Sequence, residues 1–290
     1  MSSIARVQDV ICNGKLSVLR RGGRNQNLVF VPDIGGSVLY SRIIIPKLHP
    51  EITVFGAKLT AQIFETLETT SLSTYAQNLA TQISSLRTDG KVNIIGHSFA
   101  GTLAYEITRI LKSHNFPVDK LILVDSGLPA KFWETRTATC VRLLEWTMHS
   151  KRSLIHRYNM SGMLGLKQDK GTYVSAPGYA LFDLTIQREP MRHIIKHLYR
   201  AFVEYEPLAL DHQIYLMRAD RKHLNFLYPI DLGWNRFVSG QIKVINVPGD
   251  HLDLVRDKSC AEIIATAVNN ELFAGSLDSK EISSKRIHLT

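Results

Sequence analysis

Ser98 lies in Gly96-His97-Ser98-Phe99-Ala100-Gly101, directly after the apolar, β-prone run Val92-Asn93-Ile94-Ile95. Downstream, Leu103, Ile107, Ile110 and Leu111 fall on one helical face. This spacing predicts a strand, a sharp turn and a helix, with the serine hydroxyl raised out of the sheet at the positive end of the helix. Gly96 and Ala100 are small enough for the turn to close. Alone, the motif describes an inert tight turn equally well; its company decides. A serine hydroxyl is a poor nucleophile until a base takes its proton, and that base needs a carboxylate to fix its tautomer and stabilise the imidazolium. His251 is placed to be the base. Of eleven histidines it alone follows a strong late strand (242–247) and a turn, Pro248-Gly249-Asp250. Two aspartates end strands and qualify as the carboxylate: Asp125 after the run 121–124, and Asp220 at the end of the run 214–220. Spacing alone leaves both open, because aspartates also stop strands by bonding their own backbone.

These side chains need a scaffold that collects strand ends. Residues 15–20 read as a first strand, 21–25 as a turn, and 28–31 as a short buried strand running into Pro32-Asp33-Ile34-Gly35-Gly36-Ser37. The Gly-Gly pair lets backbone N–H groups approach a ligand, and Ser37 is placed to cap a helix after the loop. Residues 53–56 are another strand. Tyr75, Leu79, Ile83 and Leu86 mark a helix that starts near Leu72 and ends near Asp89-Gly90. A last helix over 260–273 would cover the sheet. Short strands alternating with helices imply an α/β fold, a mostly parallel twisted sheet with helices on both faces. Functional groups then gather at the carboxyl ends of strands, where Asp33, Ser98 and Asp125 all fall.

The pattern changes from about 128 to 211, where no core strand is evident. Residues 141–148 and 191–202 are amphipathic; in the second, Met191, Ile194, Ile195, Leu198 and Phe202 form one stripe and Arg192, Lys196 and Arg200 the other. The expected organisation is a core of 1–127 and 212–275, a helical lid inserted at 128–211, and a loose polar tail at 276–290. His193 and His197 are spaced i, i+4 but lack the glutamate of His-Glu-x-x-His and an obvious third ligand, so no metal site is expected. Trp234 is expected to pack near the His251 loop.

Composition narrows the class. The 290 residues are 44% hydrophobic and 21% charged, ordinary for a globular chain able to bury a large core. No apolar run approaches the ~20 residues needed to span a bilayer, and the first ten residues lack a signal peptide's apolar block. Cys12, Cys140 and Cys260 are odd in number and scattered, which fits a reducing cytoplasm. The net charge of +9 points to an acidic partner, but no nucleic-acid-binding motif accompanies it.

Taken together, the motifs resemble the thioesterase domains that terminate nonribosomal peptide and polyketide assembly lines. The resemblance rests on Phe30-Val31-Pro32-Asp33-Ile34-Gly35-Gly36-Ser37, on Gly96-His97-Ser98-Phe99-Ala100-Gly101 followed by Ala104-Tyr105-Glu106, on Leu123-Val124-Asp125-Ser126, on Gly233-Trp234, and on Val247-Pro248-Gly249-Asp250-His251. It covers about 16–273, the lid in position only, and departs at Ala100, where many relatives carry glycine. It implies an α/β-hydrolase fold with Ser98 as nucleophile and His251 as general base. In the terminal, product-releasing branch the acid follows the strand after the nucleophile helix, which is Asp125; in the stand-alone editing branch it lies one strand later, near Asp220. The Val-Asp-Ser match favours Asp125. The oxyanion hole would use the N–H of Phe99 and that of Asp33 or Ile34, with the Asp33 carboxylate turned away.

The resemblance also implies a partner. An acyl, peptidyl or polyketide chain would arrive on the phosphopantetheine of an acyl or peptidyl carrier protein, with no cofactor bound by the chain itself. Release as an acid, lactone or lactam would pass through acyl-Ser98. No carrier motif precedes the core, so the carrier would act in trans or belong to a longer parent chain. Residues 131–206 hold twelve Lys/Arg against seven Asp/Glu, so Arg192, Lys196 and Arg200 are candidates for steering an acidic carrier. The alternatives are another serine hydrolase of this fold, acting on a free ester or a coenzyme A thioester, and a non-catalytic binding protein.

Overall fold

The strand-forming runs assemble into one seven-stranded sheet, together with a separate two-stranded ribbon. The computed structural model describes residues 16–23, 26–59, 70–86, 91–129, 132, 173–174, 182–183, 189, 191–220 and 228–273. Within them run β1 (Ser17–Arg20), β2 (Gln26–Phe30), β3 (Ile52–Gly56), helix α1 (Leu72–Ser84), β4 (Lys91–His97), α2 (Phe99–Ser113) and β5 (Val118–Val124). Then come β6 (Tyr173–Val174), β7 (Phe182–Asp183), α3 (Met191–Glu204), β8 (Ile214–Asp220), β9 (Ile242–Pro248) and α4 (Lys258–Phe273).

The sheet order is β1-β3-β2-β4-β5-β8-β9. All neighbours are parallel except the edge pair β1 and β3. The order explains where a site must form. From β2 the chain steps outward to β3, whereas from β4 it steps the other way to β5. Right-handed crossovers therefore place their connections on opposite faces and open a crevice between the carboxyl ends of β2 and β4. The loop 31–37 leaves β2 there, and Ser98 leaves β4 beside it.

Burial follows the parallel pattern. β2 and β4 are nearly continuous buried runs, and α2, which packs on β4 and β5, buries Leu103, Ala104, Ile107, Ile110 and Leu111. The helix expected to reach Asp89-Gly90 stops at Ser84, with Ser71 capping its start by accepting the Thr74 N–H at 3.2 Å. Between β2 and β3 lie two short 3-10 turns, Leu39–Ile43 and Ile45–Lys47, which the periodicity did not reveal. Ser37 Oγ accepts the Leu39 N–H at their start.

Of the expected lid, the described parts are the β6–β7 ribbon and α3, which buries Ile194, Ile195, Leu198, Ala201 and Phe202. The amphipathic segment expected at 141–148 and the tail from 276 lie outside the described residues, as do Cys12 and Cys140. No helix among the described residues is long and apolar enough to cross a membrane.

Candidate active site

Ser98 closes β4 and caps α2 in a conformation that a non-glycine residue rarely adopts, φ 57° and ψ −125°. The strain is held by the sheet: the Ser98 N–H donates to Val124 O at 3.0 Å, and Val31 N–H to Ile95 O at 3.0 Å. Two glycines make the turn possible. A Cβ at Gly96 would collide with the Ala100 backbone, and one at Gly101 with the Ser126 hydroxyl. The second contact was not legible in the motif, because it joins the Ser98 turn to the turn after β5. Ser98 thus stands at the N-terminus of a fifteen-residue helix, where backbone dipoles favour developing negative charge.

The neighbouring strand supplies the carboxylate. Asp125 is fully buried at φ 43°, its N–H donating to Met217 O at 2.7 Å. Its Oδ1 accepts the Ala219 N–H at 3.0 Å, which aims Oδ2 at His251 Nδ1, 2.7 Å away. His251 rides a turn just past β9 whose Gly249, at φ 108°, faces the Asp253 side chain too closely for a Cβ. Asp220 ends β8 half-buried, one strand further on. The carboxylate that meets the imidazole is therefore Asp125. The structure brings Ser98, Asp125 and His251 to one edge; among the described residues no hydrogen bond joins the Ser98 hydroxyl to His251. Such contacts often tighten only when substrate binds.

The β2 loop corrects one expectation. The Asp33 N–H is not available to an oxyanion, because it donates to Ser37 O at 2.8 Å within its own tight loop. The Asp33 carboxylate folds back to accept the Gly35 and Ser37 N–H groups at 2.9 and 3.0 Å. Burial raises its pKa, and those two donors oppose the rise. That leaves the Ile34 N–H as the candidate loop donor, with the Phe99 N–H from the first turn of α2 as its candidate counterpart.

Two buried residues outside the expected set are tied into the surrounding structure. His97, which the motif leaves without a role, is buried with its ring stacked on His251, centroids 4.5 Å apart. Glu106, a carboxylate on the otherwise apolar face of α2, binds Arg109 through two contacts of 2.8 Å and accepts the Tyr205 hydroxyl at 2.8 Å. That last bond, with Tyr105 donating to Leu208 O at 2.8 Å, ties the chain leaving α3 to α2. An acid interrupting an apolar stripe was the available signal for it. Trp234 is a fully buried packing residue: its Nε1 donates to Ser126 O, next in the chain after Asp125, at 2.7 Å and its ring lies 4.6 Å from Tyr105.

α3 roofs the crevice. Phe202 meets Phe99 edge-on at 6.2 Å, and Ile195 packs against Ile34. Its opposite stripe is less cationic than the sequence suggests, since Arg192 pairs with Glu189 at 3.8 Å and Arg200 with Glu204 at 2.7 Å. His193 and His197 contact each other at 4.4 Å, and the described residues contain no cluster able to hold a metal ion.

Comparison with known proteins agrees with this architecture. The family model "Thioesterase domain" matches residues 26–155. Malpibaldin synthetase of Mortierella alpina is 23% identical over 231 residues, which is 79% of this chain and 4% of that protein. This chain thus spans a small fraction of the relative's length. Among solved structures, a four-domain nonribosomal peptide synthetase superimposes with TM-score 0.61 at 19% identity, covering 91% of this chain and 20% of the other. The NocB thioesterase domain of the nocardicin cluster gives TM-score 0.58 at 19% identity, covering 86% of this chain and 95% of the other.

Proposed function

We propose, for a chain whose residues 26–155 match the thioesterase domain family model, a serine enzyme that releases an acyl, peptidyl or polyketide chain from a carrier protein. The observation that carries the reading is the buried Asp125–His251 pair at 2.7 Å, set beside a serine held at positive φ on a helix N-terminus. That serine is Ser98, the nucleophile. His251 is the general base, and Asp125 fixes its Nδ1–H tautomer and balances the imidazolium.

The thioester arrives on the carrier's phosphopantetheine arm. Ser98 Oγ attacks its carbonyl carbon while His251 Nε2 takes the hydroxyl proton. The tetrahedral oxyanion forms where the Phe99 and Ile34 N–H groups can donate to it. Collapse expels the thiolate, which takes the proton from His251, and leaves an acyl-Ser98 ester. Water or a nucleophile within the acyl chain then attacks, with His251 again as base, and the acid, lactone or lactam departs. No cofactor of the chain's own enters these steps. The apolar face of α3 over Phe99 and Ile34 supports an acyl chain lying along that helix. Carrier docking at Arg192, Lys196 and Arg200 has weaker support, because two of the three already have acidic partners on or beside the helix.

Incubation with a small fluorophosphonate, followed by intact-mass measurement and peptide mapping, tests the reading. A single adduct at Ser98, absent in Ser98→Ala, is expected. A wild-type protein that stays unmodified would overturn it.

A further inference from the structure

His97 sits between Gly96 and Ser98, buried among groups that the proposed reaction uses. Resting on the reading of Ser98 and His251 given above, we propose that His97 is a positioning residue for the general base, holding the His251 backbone and ring in register with Asp125 and Ser98.

The geometry supplies the argument. His97 Nε2 lies 3.0 Å from the His251 carbonyl oxygen. A carbonyl only accepts, so Nε2 carries the proton and donates it, which fixes the tautomer. The two rings are stacked, with centroids 4.5 Å apart and planes inclined by 26°. His251 is therefore gripped at its Nδ1 by Asp125, and at its carbonyl and ring face by His97. These grips matter because the ladder between β8 and β9 ends at Pro248, three residues before the base. His97 is itself backed by Tyr40, whose ring lies 5.9 Å away and whose hydroxyl is pinned to Val31 O at 2.6 Å.

The titratable groups facing His97 are His251, Asp125 and Tyr40. Burial foremost, and then the neighbouring His251, lower its pKa to about 3. His97 accordingly stays neutral at working pH, and the proton leaving Ser98 goes to His251. A phenyl ring would fill the same space but has nothing to donate to the carbonyl. That difference separates positioning from packing.

Three substitutions divide the grip: His97→Phe keeps a ring, His97→Gln keeps a donor, and His97→Ala keeps neither. Their fluorophosphonate labelling rates, their kcat and KM on a short acyl-N-acetylcysteamine thioester, and the downfield proton resonance of His251 Nδ1–H would be measured beside thermal melting. A misplaced base costs up to ~100-fold. His97→Ala should lose about that much in labelling rate and kcat, with KM within about twofold and the Nδ1–H signal broadened. His97→Phe and His97→Gln should each recover about tenfold of the loss. If His97→Ala does not fold, equal wild-type rates and an unchanged proton signal in the other two would overturn the proposal. So would a folded His97→Ala that merely melts lower while kcat and the proton signal stay put. A wild-type protein that is not labelled at Ser98 would remove the functional reading itself, whereas normal wild-type labelling with unaffected His97 variants removes only this inference.

Discussion

The side of the crevice proposed for acid–base chemistry and the side proposed for the acyl chain are held in place by different physics. Asp125, Ser98 and His97 end adjacent parallel strands. Two of them sit at positive φ, and each is fixed by backbone bonds to its neighbours. Across the crevice, α3 rests on Phe99 and Ile34 through an aromatic edge and aliphatic contact, anchored at its far end by the Tyr205–Glu106 bond. The groups proposed to react, or to position those that do, are thus attached to the sheet, which permits little misplacement. The surface expected to meet the variable part of a substrate is attached by packing that other side chains of similar volume could replace.

The contrast is sharpest in the carboxylates. Asp125→Asn would remove the tautomer control on His251 without opening space, and is expected to lower the acylation rate by ~10^3- to 10^4-fold. Asp220→Asn should stay within about tenfold. Single-turnover acylation of both variants checks this; the reverse order would move the acid to β8. On the same side, Gly101→Ala would drive a methyl group into the Ser126 hydroxyl where two turns meet. We expect a loss of ~3 kcal/mol or more in urea unfolding, in line with overpacking of a rigid core. A loss below ~1 kcal/mol would show that the two turns can part.

Effects on the acyl side should be smaller. Tyr205→Phe deletes one hydrogen bond to a buried carboxylate that keeps its Arg109 partner, so a cost of ~1.5–3 kcal/mol is expected. The fluorophosphonate labelling rate should be unchanged while KM for a bulky thioester rises. A fall in labelling rate would show that the two sides are coupled.

Acid pH gives the last test. His97 has a folded-state pKa of about 3 against 6.5 in an open chain, so between those values the unfolded state binds the extra proton. Its contribution to stability is complete above the unfolded value and is lost as pH falls through the window toward the folded one. The slope is at most ~1.4 kcal/mol per pH unit for one group. His212, lowered to about 4 by burial and then Lys112, adds a slope of the same sign over the upper part of the window. His97→Phe should flatten the fall in urea stability between pH 6.5 and 4 by one group's share. An unchanged slope would mean that His97 titrates with the open chain.

The same difference in anchoring governs what could be read from sequence. β8 was legible end to end because a fully buried parallel strand is a near-continuous apolar run; Ser98 and Asp125 stood out as candidates because they come directly after such runs, whereas His251 follows the half-exposed edge strand β9 and a short turn. What escaped depends on contacts between distant turns. Gly101 meets Ser126 and His97 meets His251, and no local pattern announces either pair. Asp33 was admitted as a donor because sequence cannot say whether an N–H is already spent on its own loop, as this one is on Ser37. In α3 the apolar stripe is plain from its period, whereas the pairing of Arg192 with Glu189 and of Arg200 with Glu204 depends on side-chain positions that composition does not give.

The central claim is an acyl-enzyme at Ser98 formed from a carrier-bound thioester. Mixing the protein with a carrier whose phosphopantetheine bears an acyl group, quenching at short times and measuring intact mass tests it directly. The account predicts a mass increase equal to the acyl group, mapped to Ser98, abolished in Ser98→Ala and formed far more slowly in Asp125→Asn. Release of free acid or cyclic product with no adduct in the wild type, and with Ser98→Ala equally active, would contradict it.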